Sequence, residues 1–543
     1  PAVNSSQPRG HGAGDRAGES PQAQGCRRPY PRLMDLQRAQ PLIDGPPASR
    51  NPGTEGIIAL WHKLDLPRSW VLPLLDMQFP EFVYRLHRQF TEAGKELYAV
   101  GGCVRDSLLG KEVQELDFAT SAHPEEIKRL LAPLRPDSVY TVGERFGTIG
   151  AMFGPYRVEI TTYRGEWYSP DSRKPEVTFG ISLEEDLSRR DFTVNAIAMD
   201  IPSGRLIDPF GGVEDLHARV IRAVGDPDAR FRDDPLRLMR AVRFAANLGF
   251  KIEPRTAEAI RRHAAQICKI SIERVRDELT RMLTGPAPDV AIAALVDLGL
   301  MQYIVPEVVE LKQASTGGGK HKDIFIHTLK VVRNTPADLV TRWAALLHDI
   351  AKPRTFGIRD GKVHFDHHET IGAKMAEEIL SRLHYDRQTI EAVAKVVRMH
   401  TQANSYDPEV WTDGAVRRLV REAGDELEPL LALSQADITS YRRQKVEAGV
   451  QRVRELRERI QRLEEEAAIR ELRPPLDGND LMRIFGRGPG PWIKPLKNYL
   501  LDLVIDGQLA PDDRQTAERL VREKYQELYG SETLTSTSET RQT

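Results

Sequence analysis

The chain has only 3 cysteines in 543 residues, Cys26, Cys103 and Cys268, widely spaced and without a Cys-x-x-Cys pair. That is too few for a disulfide framework or a cysteine-based zinc site, and it fits a reducing compartment. Long apolar runs are also missing. The best stretch, near 290–300, is broken by Asp297 and falls short of the ~18 residues a membrane helix needs. Nor is there an excess of one charge: 77 Lys+Arg face 79 Asp+Glu, a formal net charge of −2. A globally basic nucleic-acid coat is thereby excluded, although local basic faces are not. No charged-then-apolar signal pattern opens the chain. These absences predict a soluble, cytoplasmic protein without membrane contact, and the length predicts three or four domains at roughly 150 residues each.

Residues 1–54 are rich in Pro, Gly, Ser, Gln and Arg and read as disordered, because they cannot bury enough surface to offset their ordering entropy. An α/β domain is predicted over 79–208. It starts with an amphipathic helix (Glu81–Ala93, ending at Gly94), followed by strands at Leu97–Val100 and Leu116–Ala119. Pro124 suits the first turn of the next helix. Further strands are expected at 138–142, 148–153, 157–163 and 194–200. From 209 to 310 the periodicity turns helical, with apolar stripes over 235–248, 255–267 and 273–283. A glycine-rich linker (315–320) precedes a histidine-bearing helical block over 321–440. A charged helix over 447–472 without a sustained heptad reads as solvated or RNA-facing. It opens a small helical tail (447–530), and 531–543 read as disordered.

Two constellations carry chemistry. In the first, Tyr98-Ala99-Val100-Gly101-Gly102-Cys103-Val104-Arg105-Asp106 is a strand, two glycines and a helix start. Gly101 and Gly102 let backbone N–H groups approach a phosphate, which Arg105 can pair with. In Glu115-Leu116-Asp117 the two acids share one strand face, and Glu159 adds a third carboxylate from an alternating strand. Paired carboxylates meeting a triphosphate are what Mg²⁺ requires. Asp234 and Arg237, at i and i+3, are expected on one helix face. There the carboxylate can accept from a base amino group while the guanidinium donates to ring acceptors, a pattern that cytosine and adenine satisfy. In the second constellation, His327, His348-Asp349, His367-His368, His400 and Asp437 fall within the helical block. Imidazoles and carboxylates on separate helices suit a divalent metal.

Gly-Gly-x-Val-Arg-Asp, acid-x-Asp, Arg189-Arg190-Asp191-Phe192-Thr193-x-Asn195-Ala196 and Asp233-Asp234-x-x-Arg237, in this order, resemble the class II tRNA nucleotidyltransferases, the CCA-adding enzymes and bacterial poly(A) polymerases. The resemblance spans about 79–283. It implies a polymerase-β-like head followed by a helical neck and body, with Glu115, Asp117 and Glu159 as catalytic carboxylates on Mg²⁺. It also implies nucleotide contacts from Gly101, Gly102, Arg105, Arg190, Asp191 and Asn195, base selection by Asp234 and Arg237, and Arg240 and Arg243 along the same site. The family's first carboxylate is normally Asp; here it is Glu115, one methylene longer.

The histidine block resembles an HD phosphohydrolase domain, implying a metal site of His327, His348, Asp349, His368, His400 and Asp437. His367 fits that pattern less well than His368, and Mn, Ni, Co, Fe, Mg and Zn all remain open as the metal. The expected activity is addition of C and A to tRNA 3′ ends from CTP and ATP, with a phosphohydrolase in the HD domain. A poly(A) polymerase, a CC- or A-adding enzyme, and a hydrolase with an impaired transferase head serving as an RNA-binding platform are the rival readings. RNA contacts are expected from Arg417–Arg421, Tyr441–Lys445 and Trp492–Lys497.

Overall fold

A computed structural model of the chain describes residues 79–167, 176–179, 182–315, 323–360, 362–439, 442–466 and 473–530. The ends predicted to be disordered, and the linker from 316 onwards, lie outside these residues. The described residues fall into two compact units, divided between Val309 and Glu310.

The first unit opens with α1 (Glu81–Glu92), which ends at Ala93-Gly94 as its pattern predicts. It continues through β1 (Leu97–Val100), α2 (Gly102–Leu108), β2 (Glu115–Thr120), α3 (Pro124–Leu131), β3 (Ser138–Tyr140), β4 (Thr148–Phe153) and β5 (Tyr156–Thr162). A separate hairpin of β6 (Arg164–Trp167) and β7 (Glu176–Phe179) follows, then α4 (Leu183–Ser188), β8 (Ala198–Asp200) and β9 (Leu206–Ile207). The main sheet has the order β3-β4-β5-β2-β1-β8-β9. It is mixed: β2 and β5 run parallel, the other neighbours antiparallel. Alternation along β2 and β5 buries Leu116, Phe118, Val158 and Ile160 on one face of the sheet, and α3 packs on β4 and β5. Each such side chain contributes roughly 1.5–3 kcal/mol of burial. The other face of these strands is left to polar residues, and it carries the site.

The strand expected at 194–200 is shorter than its sequence suggests. Thr193 Oγ1 donates to Asp215 and Asn195 Nδ2 donates to Asp191, which holds Thr193–Asn195 in a 3₁₀ turn, so only Ala198–Asp200 joins β1.

Helices α5 (Gly212–Ala218), α6 (Pro227–Asp233), α7 (Leu236–Leu248), α8 (Pro254–His263), α9 (Ile272–Leu283) and α10 (Pro288–Asp297) follow, with a short parallel pair of β10 (Val220–Ile221) and β11 (Lys251–Ile252). Helix α7 packs on both α9 and α10. The short α11 (Met301–Ile304) and α12 (Pro306–Ser315) lead to the second unit.

That unit is built on α14 (Leu339–Leu347), whose residues from Thr341 to Leu347 are all buried. Around it lie α13 (Ile324–Asn334), the short α15 (Lys352–Thr355), a hairpin of β12 (Phe356–Arg359) and β13 (Lys362–Phe365), α16 (His368–Arg382), α17 (Arg387–Asn404), α18 (Asp413–Ala423) and α19 (Leu427–Ala436). Helix α20 (Arg443–Glu466) departs from expectation. Val453, Leu456, Ile460 and Leu463 form a buried stripe, and the helix packs on α18 and α19, so it is not a wholly solvated or RNA-facing rod. Its apolar spacing was visible, but thirteen charged neighbours masked it over 24 residues. Helices α21 (Gly478–Phe485), α22 (Ile493–Ile505) and α23 (Arg514–Tyr529) close a small core on Leu481, Trp492, Leu496, Leu500 and Val521. No described helix is long and apolar enough to cross a membrane.

Candidate functional site

The acidic end of the first unit is set by register. In the parallel pairing of β2 and β5, Glu115 lies beside Arg157 and Asp117 beside Glu159, so all four share the sheet face away from the core. Glu115 is exposed at the first position of β2, and Asp117 is half-buried. Burial, with Glu159 and Glu115 alongside, pushes the Asp117 carboxyl up to about 6 against the pull of Arg190 and Arg105. Arg157 Nη2 donates to Glu159 Oε1 at 2.7 Å. A divalent cation would relieve the carboxylate repulsion, so this donor set fits one.

The glycine turn sits over these acids. Gly101 has φ +73°, and a Cβ there would lie 2.8 Å from Arg190 Nη1, so both backbone and space require glycine. A Cβ on Gly102 would be 3.7 Å from Asp117 Oδ2. The N-terminus of α2 is thus brought next to the carboxylates.

Above them runs a relay of paired charges. Arg105 chelates Asp106 through Nε and Nη2 and donates from Nη1 to Asn195 Oδ1 at 2.7 Å. Asn195 donates to Asp191 Oδ1 at 3.1 Å, and Asp191 Oδ2 accepts from Arg240 Nε at 2.7 Å. Burial works against the Asp191 charge, yet Arg240, Asn195 and Arg237 outweigh it and bring the carboxyl down to about 2. Arg190 donates to Asp186 and to the Asn195 carbonyl, and its Nε is buried with no hydrogen-bond partner among the described residues. Arg243 pairs with buried Glu278 at 2.6 Å. Phe244 gathers three guanidiniums on its ring, with Arg243, Arg105 and Arg240 at 4.4, 5.2 and 5.2 Å.

Asp234 and Arg237 do not share a helix as expected. Pro235 caps α7, which therefore begins at Leu236 and leaves Asp234 in the junction after α6. Asp234 Oδ2 accepts from Arg274 Nη2 at 2.8 Å, while Arg237 donates to the Arg189 and Arg230 carbonyls. The two are neighbours at a helix junction, each with other partners.

In the second unit, His327 comes from α13, His348 and Asp349 from the end of α14, His368 from the first residue of α16, His400 from α17 and Asp437 from the end of α19. Nδ1 of His348, His368 and His400 each meets the carbonyl three residues earlier, at 2.9, 2.9 and 2.6 Å. His327 Nδ1 meets Thr439 Oγ1 at 2.6 Å. All four rings therefore turn Nε2 inward, toward Asp349 at 3.6, 3.3, 3.7 and 4.0 Å for His327, His348, His368 and His400. His327 Nε2 also lies 2.9 Å from Asp437 Oδ1. Two overlapping groups, His327–His348–Asp349 and Asp349–His368–His400, have the compactness a metal requires. Burial resists charge on His348, but Asp349 and Asp437 prevail and lift it to about 9; His400, buried and facing His348, falls to about 4. His367 caps α16 in the left-handed region and takes no part in the cluster.

The expected RNA faces fare differently. Arg417, Arg418 and Arg421 of α18 bind the Ile505 carbonyl, Asp506 and Asp502, holding α18 to α22. Trp492 is a core residue, 4% exposed, whose indole donates to the Gly488 carbonyl. Tyr441 lies outside the described residues, and Arg443 pairs with Glu447.

Comparison with known proteins agrees with this layout. Three family descriptions match in order: a poly A polymerase head domain over 97–222, a probable RNA- and SrmB-binding site of polymerase A over 249–311, and an HD domain over 324–442. A CCA-adding enzyme of Lactobacillus helveticus is 48% identical over 214 residues, 39% of this chain, and the chain spans about half of that relative's length, 52%. An A-adding tRNA nucleotidyltransferase of Deinococcus radiodurans is 34% identical over 451 residues, 80% of this chain and 96% of that protein. The chain belongs to the tRNA nucleotidyltransferase family. Among solved structures, the Bacillus stearothermophilus CCA-adding enzyme in complex with CTP superposes with a TM-score of 0.61 at 27% identity, over 84% of this chain and 100% of that one. As in that enzyme, a mixed-sheet head precedes a largely helical body, and this nucleotidyltransferase carries an HD domain besides.

Sequence reasoning missed Phe244, Asp186, Arg274, Glu278 and Asn404. The spacing of Arg240, Arg243 and Phe244 on one helix was available as a signal. Glu278 and Arg274 come from α9, and nothing local announces partners 35 and 40 residues away.

Proposed function

We propose that the chain adds C and A to the 3′ end of tRNA, taking CTP and ATP and releasing pyrophosphate. The observation that carries this reading is the set Glu115, Asp117 and Glu159 on one sheet face, with the α2 N-terminus and a buried, unpartnered Arg190 Nε beside it. Glu115, Asp117 and Glu159 would hold Mg²⁺, which when bound neutralises triphosphate charge and activates the tRNA hydroxyl. The backbone N–H of Gly102, with Arg105 and Arg190, orients the triphosphate, while the Gly101 N–H is taken by the Ile197 carbonyl and Gly101 supplies the turn. Asp191 and Asn195 hold Arg105 and Arg240 in place from the opposite side. Asp234 exchanges Arg274 for the exocyclic amino group of cytosine or adenine, and Arg237 exchanges backbone carbonyls for ring acceptors. Uracil and guanine present a carbonyl to Asp234 and are rejected. Arg240 and Arg243 line the same site along α7, and the helical segment 209–310 carries tRNA contacts.

The HD cluster is proposed as a metal-dependent phosphohydrolase centre whose ligands are His327, His348, Asp349, His368, His400 and Asp437. Its donors, borderline imidazoles with hard carboxylates, fit Mn, Ni, Co, Fe, Mg or Zn.

The test incubates the protein and Mg²⁺ with tRNA transcripts ending before CCA, after C and after CC. Labelled nucleotides are supplied singly and in pairs, and product length is read on a gel. Ordered addition of C, C and A followed by a stop is the expected result. Addition of A alone to the CC-ended transcript would replace it with the second reading, which the Deinococcus radiodurans relative favours over most of the chain. Incorporation on none of the transcripts would overturn both and leave the HD centre as the active one.

A further inference from the structure

The HD family match ends at residue 442, just before α20 begins. That helix forms one wall of a cavity of about 170 Å³, and α17 and α19 form the rest. Asp437 borders both this cavity and the imidazole cluster. Its Oδ1 faces His327 and His348 at 2.9 and 3.7 Å, and its Oδ2 accepts from Asn404 Nδ2, a lining residue, at 2.5 Å. Asn404 Oδ1 in turn accepts from Ser434 Oγ at 2.6 Å. The polar lining on that side is therefore internally satisfied.

Across from it stands Arg452, the cation that α20 contributes to the lining. Among the six arginines of this helix, Arg443 pairs with Glu447, Arg454 with Gln451, Arg457 with Glu428, and Arg459 and Arg462 with Asp413. Arg452 has no such partner among the described residues. An unpaired guanidinium at the mouth of a cavity with room for more than one water-sized group is suited to bind a phosphate through its two-pronged donor face.

We propose that the cavity is an anion subsite of the HD centre, in which Arg452 holds the phosphate of a phosphomonoester beside Asp437. The helix that follows the HD domain thus supplies its substrate contact. This rests on the phosphohydrolase reading for its catalytic meaning, though the phosphate contact can be measured without it. Arg452 is a positioning residue: it is exposed and lies outside the set of candidate metal ligands.

The experiment uses the full chain loaded with Mn²⁺, as wild type, Arg452→Met and Arg452→Lys. Inorganic phosphate binding is measured by calorimetry, hydrolysis of adenosine 3′-monophosphate by steady-state kinetics, and retained Mn²⁺ and melting temperature alongside. Arg452→Met is expected to weaken phosphate binding and raise KM about tenfold or more (about 1.4 kcal/mol). Its kcat, Mn²⁺ content and melting temperature stay at wild-type values, and Arg452→Lys recovers part of the affinity. Phosphate affinity and KM unchanged in Arg452→Met would overturn the proposal. If the wild type hydrolyses no ester but binds phosphate, and Arg452→Met does not, the subsite stands and the phosphohydrolase reading falls.

Discussion

In the head, three carboxylates stand on two neighbouring strands, and most of the guanidiniums around them are already held by an acid: Arg105 by Asp106, Arg190 by Asp186, Arg240 by Asp191 and Arg243 by Glu278. In the HD unit, four imidazoles converge on Asp349 from four helices, each ring fixed through Nδ1 and leaving Nε2 turned inward. The head keeps its cations in place with neighbouring charge, whereas the HD unit keeps its imidazoles in place with neutral partners, three backbone carbonyls and the Thr439 hydroxyl. A site that handles a polyanion needs arginines that are oriented in advance and can still exchange partners. A site for a cation needs donors whose far side is occupied and whose near side is not.

Substitutions can break this contrast, starting with the largest effect. Asp117→Ala should lower nucleotide incorporation by about 10³-fold or more, because positioning and charge neutralisation carry phosphoryl transfer. It should leave ester hydrolysis at the HD centre unchanged, and a primer-extension gel run beside a phosphatase assay reads both. Asp349→Asn should do the reverse. Metal affinity and ester hydrolysis drop by about 100-fold or more while incorporation is retained, with bound metal measured directly. A fall in both activities from either change would show that the two centres are coupled.

Asp191→Asn tests the head's charge relay through stability. The folded carboxyl sits at about 2, below its ordinary value of 3.8, so its stabilisation is fully present above about pH 4 and is lost as pH falls toward 2. Its size is about 2 kcal/mol. Denaturant melts should therefore separate wild type from variant at pH 7 and bring them together at pH 2. A gap independent of pH would show that packing, and not charge, is what Asp191 contributes. Phe244→Leu removes three cation–ring contacts of roughly 0.5–1 kcal/mol each and should raise the KM for nucleotides about tenfold, with Phe244→Tyr restoring most of it. Glu115→Asp should be the mildest: less than about tenfold in rate. Glu115 is exposed at the end of its strand and has freedom to reach.

Much of this was legible along the chain. Gly101-Gly102, the i and i+2 acids of β2 and the alternation of β5 are local patterns, and local backbone geometry turns them into a turn, a face and a register. The histidines were legible as a set; His368, inside α16, lies in the cluster, whereas His367 caps that helix in the left-handed region. The expected placement of Asp234 and Arg237 on one helix differs for a local reason: the residue before a proline disfavours helical backbone, so Asp234 stands just ahead of the helix that carries Arg237. The surroundings of Trp492 and of the α18 arginines were not legible, and the reason is distant. Their partners, Tyr525, Asp502 and Asp506, lie on later helices, and composition does not say which faces meet.

The sequence by itself determined which residues are present at which helical and strand phases, hence the mixed-sheet head, the helical body and the two groups of charged side chains. Only the tertiary structure decided which charges neutralise one another. It placed Arg243 on Glu278, Asp234 on Arg274 and three guanidiniums on Phe244, and it left Arg452 facing a cavity. Periodicity follows from bonds between near neighbours, whereas pairing across 35 or 40 residues depends on how helices pack, and packing is settled by the shape and burial of every side chain at once.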